Sequence, residues 1–303
     1  MSQIAPLGIK ANNVLYYYRD LARATYFYQE VLGLTLVDDY GVAKLFQVAA
    51  SSFLMLIDSS IGRHSADEPK TVTTALITDE VEGWLDYLVA QEVPISHPLN
   101  YKAGQPHDGF VAVDPEGYLL EFERFNAHPE NAQLLPLLDP LPAFYPVAGQ
   151  STSRPATLGI KATVTWLYYQ EMARAEEFWG KVLGFAQVLD QGFAKIYPTS
   201  YSGFIGPVKA GAGLHPYTAQ KGVTVSLFTE EEEIDVWFAY LQQRPQFDLQ
   251  NEAVILEMER VRDFLGFDPE GYFIEFDAFI EHPANAALRG QLSQLPTRTA
   301  QIE

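Results

Sequence analysis

The chain contains no cysteine. Disulfides, thiolate nucleophiles and cysteine-held zinc or iron–sulfur sites are therefore excluded. It is also short of positive charge: 20 Lys and Arg stand against 39 Asp and Glu, a formal net charge of −19. Nucleic acid and anionic membranes both demand a basic face, so neither is an expected partner. No apolar run approaches the roughly 20 residues that span a bilayer. The opening Met1-Ser2-Gln3-Ile4-Ala5-Pro6 has neither a basic nor an apolar leader region. The expectation is a soluble, cytoplasmic, acidic protein. No nucleophile–His–Asp arrangement, phosphate loop or dinucleotide fingerprint stands out.

What is present is written twice. Leu7-Gly8-Ile9-Lys10-Ala11 recurs as Leu158-Gly159-Ile160-Lys161-Ala162, and Asp114-Pro115-Glu116-Gly117-Tyr118 recurs as Asp268-Pro269-Glu270-Gly271-Tyr272. Solenoid units run to roughly 20–50 residues, and this repeat is far longer, so it is a duplicated domain. With 48% hydrophobic residues in 303, each half can bury a core. We place the first domain at 1–136, a Pro-, Ser- and Gly-rich linker at 137–156 and the second domain at 157–303.

Each half reads as strand, helix, strands, twice over. Val14 to Tyr18 is aromatic and β-branched and predicts a strand. Asp20 stands at an N-cap, Leu21 to Leu32 has helical spacing, and Gly33 closes the helix. Lys44 to Val48 and Phe53 to Ile57 predict further strands. The pattern restarts with a strand over Thr71 to Thr78, a capping-box signature at Asp79 and Glu82, and the strands Phe110 to Val113 and Tyr118 to Phe122 around a Pro-Glu-Gly turn. The second half repeats this order. Thr165 to Tyr169 is its first strand, Met172 to Leu183 its first helix, Val223 to Phe228 the strand before a Thr229/Glu232 capping box, and Tyr272 to Phe276 its last strand.

This order, carried by Phe27-Tyr28 through Leu32-Gly33, by Ile77-Thr78-Asp79 and by Asp114 to Glu121, with counterparts at Phe178-Trp179 through Leu183-Gly184, Phe228-Thr229-Glu230 and Asp268 to Glu275, resembles the vicinal-oxygen-chelate superfamily of glyoxalases, bleomycin-resistance proteins and extradiol dioxygenases. The resemblance implies an α+β fold of two tandem domains. Each would be a pair of βαβββ modules with a curved mixed sheet around a cleft. It also implies one divalent ion per working cleft, with ligands on the first, fifth and last strands. Those positions fall on Asn13, Val72 and Glu121 in the first half, and on Val164, Val223 and Glu275 in the second. Valine coordinates nothing, so the usual triad is incomplete in both halves and no metal or other cofactor is expected.

Period-two alternation then assigns faces. Leu15, Tyr17, Thr74, Leu76, Leu119 and Glu121 are expected to face one cleft, with Asn13 beside them. Trp166, Tyr168, Val225, Leu227, Phe273 and Glu275 are expected to face the other. Apolar walls with few polar groups suit a small, partly aromatic ligand. Glu121 and Glu275, desolvated among Leu, Tyr and Val, are the candidate general bases, with Tyr17 and Tyr168 as hydrogen-bonding partners. His64 and His215, at equivalent loop positions, are candidates at the cleft mouths. His107 occurs in the first half alone, and this asymmetry favours the first half's cleft as the working one. His128 and His282 precede proline and read as helix caps. The leading expectation is a metal-independent ligand-binding cleft of the glyoxalase/bleomycin-resistance/dioxygenase kind, with glutamate proton transfer as its chemistry. The alternatives are a divalent-metal enzyme of dioxygenase, glyoxalase or lyase type and a non-catalytic interaction protein. A second copy of the chain is the remaining candidate partner.

Overall fold

The computed structural model describes residues 7–147 and 149–301. The N-terminal hexapeptide read above lies outside them. Four βαβββ modules follow one another. The first holds β1 (Gly8–Ile9), β2 (Ala11–Tyr18), α1 (Leu21–Tyr26), β3 (Thr35–Asp39), β4 (Ala43–Ala49) and β5 (Ser52–Asp58). The second holds β6 (Val72–Ile77), α2 (Val81–Ala90), β7 (Ile95–His97), β8 (His107–Val113) and β9 (Leu119–Phe125), followed by the short α3 (Leu135–Leu138). The third holds β10 (Ala162–Tyr169), α4 (Met172–Glu176), β11 (Leu189–Asp190), β12 (Lys195–Pro198) and β13 (Gly203–Lys209). The fourth holds β14 (Thr224–Phe228), α5 (Ile234–Leu241), β15 (Asp248–Leu249), β16 (Ile255–Glu257), β17 (Val261–Phe267) and β18 (Phe273–Phe279). Helix α6 (Ala286–Ser293) and β19 (Arg298–Thr299) end the described chain, and β19 pairs with β1. No described helix is long and apolar enough to cross a membrane.

The fold class is the expected one, but the modules pair across the duplication. Strand β2 of the first module joins β14 of the fourth in a sheet ordered β15-β17-β18-β14-β2-β5-β4-β3, with β16 beside β17. Strand β6 of the second module joins β10 of the third in a sheet ordered β11-β12-β13-β10-β6-β9-β8-β7. Each cleft is therefore built from both halves and does not follow the division into 1–136 and 157–303. Leu15 and Tyr17 share a cleft with Glu275, and Trp166 and Tyr168 share one with Glu121.

The faces turned away from the clefts meet in one hydrophobic core with the helices. Tyr16 of β2 stacks flat on Tyr118 at 3.8 Å between ring centroids, and its hydroxyl bonds the Thr74 hydroxyl at 2.6 Å. Thr74 and Leu76 thus lie in this core with Val225 and Leu227, not in the clefts. The inward residues of β6 and β14 are Thr73, Ala75, Thr224 and Ser226. The cause is register. β6 and β14 are buried on both faces, so their sequences do not alternate, and a one-residue shift exchanges the faces. Val72 and Val223, the fifth-strand positions, are buried on the core side as well.

Local details also differ from expectation. Helix α1 ends in a π-helical turn over Phe27–Val31 before Gly33 takes a φ of +62°. Neither capping box forms: Glu80 stands at the N-cap of α2 and Glu233 at that of α5, neither capping through its side chain, and Glu82 instead pairs with Arg124. His128 and His282 do cap, each accepting a backbone N–H through Nδ1. The linker is tied down by buried Arg154, which donates to the carbonyls of Leu32, Phe144 and Leu158 and lies over the Trp84 ring.

Because every sheet needs strands from both halves, fragments 1–136 and 157–303 made separately are expected to yield no folded monomer. Mixing them should restore one compact species, read by gel filtration and circular dichroism. A half that folds alone as a monomer would refute the cross-half pairing.

Candidate functional site

The cleft on the β2/β14 sheet is open. A cavity of about 410 Å³ is lined by Asn13, Leu15 and Tyr17 of β2, Met55 and Ile57 of β5, Val261 of β17, and Glu275, Asp277 and Phe279 of β18. Strand register explains this wall. Asn13 pairs with Phe53 on one side and Ser226 on the other, and Ser226 pairs with Glu275. Cross-strand partners point to the same face, so an amide, a hydroxyl and a carboxylate stand in a row across three strands. Val42, Ile61 and Met258 are exposed apolar residues lining the same cavity. Arg63 lies over the Phe273 ring at 5.7 Å and reaches Glu257 at 3.8 Å.

The floor is acidic. Asp263, Glu275 and Asp277 are all buried, and each offers a carboxylate oxygen within 4.8 Å of the others. Ser226 donates its hydroxyl to Asp277. Neither oxygen of Asp263 has a hydrogen-bond partner among the described residues, nor has either end of the Asn13 amide. Burial pushes Asp263 up to about 8, helped by the negative charges of Glu275 and Glu257 and opposed by Arg63. Burial likewise raises Glu275 to about 7, with Arg63 opposing. It raises Asp277 well above the carboxylate range, with Glu275 and Asp263 adding to the effect.

The cleft on the β10/β6 sheet has been filled and neutralised. Leu15 and Met55, neighbours across β2 and β5, correspond to Trp166 and Gly206, neighbours across β10 and β13. The Trp166 indole lies on Gly206 so closely that any Cβ there would collide with it. Trp166, 8% exposed, joins Tyr168, Phe204, Leu189 and the connector residues Leu134 and Leu138 in one hydrophobic cluster. In the polar row Val164 replaces Asn13 and Ala75 replaces Ser226, leaving Glu121 alone. Glu123 replaces Asp277 and Gly109 replaces Asp263. His107 pairs with buried Glu123 at 2.8 Å.

The expected site residues thus separate. Asn13, Leu15, Tyr17 and Glu275 come together in the open cleft, with Phe273 under Arg63. Glu121, His107, Trp166 and Tyr168 belong to the filled one, which reverses the preference for the first half's glutamate. Burial raises Glu121 to about 8, with Glu123 adding to the effect and His107 opposing it. The tyrosines do not serve the glutamates: Tyr17 bonds the Thr224 hydroxyl and Tyr168 the Thr73 hydroxyl, each at 2.8 Å. His64 and His215 do not swing over the mouths. They pack edge-on against Tyr17 and Tyr168 at 5.0 and 4.8 Å, and His64 is held by Glu68 at 2.7 Å. Asp263 and Asp277 carry no local signal: neither stands in a recognised motif or at a ligand position that the resemblance implies, and only the pairing of β17 with β18 brings them beside Glu275.

The His107–Glu123 pair predicts a pH dependence. The Glu123 carboxylate, with Glu121 and Asp108 adding to it, raises His107 to about 9 against the opposing effect of burial. A folded pKa above the unfolded value of roughly 6.5 stabilises fully below that value and is lost as pH rises through the folded one. His107→Gln should therefore destabilise most at about pH 6 and least near pH 10, measured by urea unfolding. A stability difference that stays constant over that range would refute the ion pair.

Comparison with known proteins agrees with this geometry. The family model of the Glyoxalase/Bleomycin resistance protein/Dioxygenase superfamily matches residues 10–122. No curated protein matches the chain by sequence. Among solved structures, a dioxygenase-like protein from Bacillus subtilis is 14% identical, covers 96% of this chain and 97% of its own, and superposes with a TM-score of 0.63. Glyoxalase I from Zea mays is 13% identical, covers 96% of each chain and gives a TM-score of 0.60. Identities this low speak to the fold alone. The family match thus covers part of the first half, and the fold of these proteins, in a tandem, four-module form, extends over the described chain.

Proposed function

We propose that the cleft between the first and fourth modules binds a small, partly aromatic molecule, and that the other cleft is a structural relic of the duplication. One observation carries this reading: equivalent positions hold Leu15 and Met55 in one cleft and Trp166 on Gly206 in the other. The first pair leaves a cavity of about 410 Å³, inside the roughly 300–1,000 Å³ range of small-molecule sites. Its walls include Leu15, Tyr17, Met55, Ile57 and Val261, with Asn13, Glu275 and Asp277 at the floor and Arg63 and Glu257 also lining it. Such a cavity suits an aromatic or aliphatic body with one polar end directed at Asn13 and Glu275. Arg63 at the mouth suits an anionic or oxygen-rich substituent. The proton-transfer role expected of Glu121 is not carried forward, because Trp166 occupies the space a substrate would need.

The metal that the fold family implies does not fit its usual place. The row that would hold it offers Asn13, Ser226 and Glu275, without histidine, and Ser226 spends its hydroxyl on Asp277.

Moving the plug tests the reading. The double variant Leu15→Trp with Met55→Gly reproduces the filled cleft. Binding of the fluorescent aromatic probe 8-anilinonaphthalene-1-sulfonate to the wild type should weaken by about tenfold or more in the variant, a loss of about 1.4 kcal/mol. Trp166→Leu in the other cleft should leave it unchanged. Equal binding by the double variant, with its circular dichroism intact, would remove the cleft from the function and favour the interaction-protein alternative.

A further inference from the structure

We infer that the hairpin formed by β16 and the start of β17 is a hinged lid over the open cleft, latched by the Arg63–Glu257 ion pair. The lid adds a gate for entry and release to the ligand-binding reading above, on which it rests.

Glu257, Met258 and Val261 line the cavity from the hairpin, and Ile61, Gly62 and Arg63 line it from the loop after β5. Arg63 and Glu257 approach to 3.8 Å, so the pair ties the hairpin to that loop. Arg63 lies over the Phe273 ring of β18, which makes it the fixed side of the latch. Both partners are partly exposed. An exposed ion pair is weak, so this one can yield. Met258, at the tip, gives the roof a flexible apolar side chain that adapts to what lies beneath it.

The hairpin is anchored at its ends and free between them. On one side the Asn251 side chain accepts the Leu265 N–H at 2.8 Å, and Val254 packs against the core. On the other Arg260 is buried. It donates to the Asn285 side chain at 3.0 Å and to Asp38, and it lies over the Tyr40 ring. Every residue from Ile255 to Glu259 is exposed. Strand β16 pairs with β17 alone, Ile255 with Asp263, Leu256 with Arg262 and Glu257 with Val261.

The turn that closes the hairpin is strained. The Arg260 N–H bonds the Glu257 carbonyl at 3.0 Å, which makes Met258 and Glu259 the two central residues, at φ +49° and +58°. A two-residue turn of this hand prefers Asn-Gly, because side chains such as Met and Glu rarely adopt positive φ. Strain of this kind collects at ligand clamps and switch regions. Here it disfavours the paired form, so β16 parts from β17 at modest cost. The other cleft shows that the fold does not demand this hairpin. His107 and Val261 hold equivalent places, opposite Phe125 and Phe279. The stretch before His107, residues 98–106, forms no strand, and its positive φ falls on Gly104. Trp166 already fills that cleft, which leaves nothing to cover. A strand and a strained turn stand only where a cavity lies beneath them.

Hydrogen exchange of the free full-length chain, followed by mass spectrometry, tests the hinge. Stopped-flow binding of 8-anilinonaphthalene-1-sulfonate tests the gate. Amides of residues 255–259 should exchange far faster than those of β18. Glu259→Gly relaxes the turn and should slow that exchange by about fivefold or more. Probe association and dissociation should both slow in this variant while the dissociation constant moves little, because the turn is relaxed equally in the closed free and closed bound forms. Glu257→Gln opens the latch and should speed both the exchange and the association of the probe. Exchange unaltered by Glu259→Gly would overturn the inference. So would probe rates unchanged in both variants, which would make the hairpin a strained edge and nothing more. If Leu15→Trp with Met55→Gly binds the probe as the wild type does, the ligand reading falls, and the exchange measurement still decides whether the hairpin opens.

Discussion

The duplicated Asp-Pro-Glu-Gly-Tyr turn holds the two sheets together, and the clefts depend on it. In the first half Asp114 is buried and accepts the backbone N–H groups of Glu116 and Tyr118 through one oxygen, at 2.9 and 2.8 Å. Its other oxygen accepts the Tyr18 hydroxyl at 2.5 Å. Glu116 accepts the N–H groups of Arg19 and Asp20, where β2 passes into α1. The second half repeats each part: Asp268 accepts from Glu270, Tyr272 and Tyr169, and Glu270 accepts from Gln170 and Glu171. Charge-assisted bonds in a buried setting are strong and directional. The motif therefore fixes a module of one sheet to a module of the other, and its recurrence in the sequence has a structural cause.

That clasp accounts for the division of labour between halves and sheets. Hydrogen-bonded strands join modules one and four, and two and three. The turns join one to two, and three to four. The tyrosine that ends each motif reinforces the link: the Tyr118 hydroxyl accepts the Tyr17 N–H, and the Tyr272 hydroxyl accepts the Tyr168 N–H. Two complete sheets thus stand back to back. Each cleft can change its lining without disturbing the other, provided the shared core is kept. Duplication gave two clefts on one scaffold, and the substitution of Leu15 and Met55 on one side for Trp166 and Gly206 on the other shows how far they have diverged.

How much of this was legible in the sequence follows from the kind of signal each feature leaves. The modules were legible because helix spacing, the turn motif and the repeat agree with one another. The pairing across halves was not, since a strand's partner is chosen by long-range geometry that leaves no local mark. The faces of β2, β10 and β18 were read from aromatic and acidic residues at alternate positions. Those of β6 and β14 were not, because Val72-Thr73-Thr74-Ala75-Leu76-Ile77 is buried on both sides and carries no alternation. The acidic floor escaped for a different reason. Comparing the halves rewarded what they share, so Glu121 and Glu275 stood out. Asp263 stands opposite Gly109, and an aspartate in one copy against a glycine in the other is itself a signal of a separate task.

The contrast between the two floors shows what the open one requires. Both inherit a glutamate on the last strand and a second acidic residue two positions on. In the filled cleft His107 comes within 2.8 Å of Glu123 and supplies a positive charge from the chain itself. In the open cleft the position of His107 is taken by Val261, and a third carboxylate, Asp263, has been added. Three carboxylates this close cannot all stay ionised in a buried place without a compensating charge. Arg63 stands at the mouth, partly exposed and already facing Glu257, so it cannot neutralise all of them. The compensation must come from protons held by the cluster or from a cation brought from outside. Protons held by the cluster supply part of that compensation, in keeping with the upward shifts that burial gives Asp263, to about 8, and Glu275, to about 7. The filled cleft carries no third carboxylate, so this excess of acid belongs to the open cleft alone.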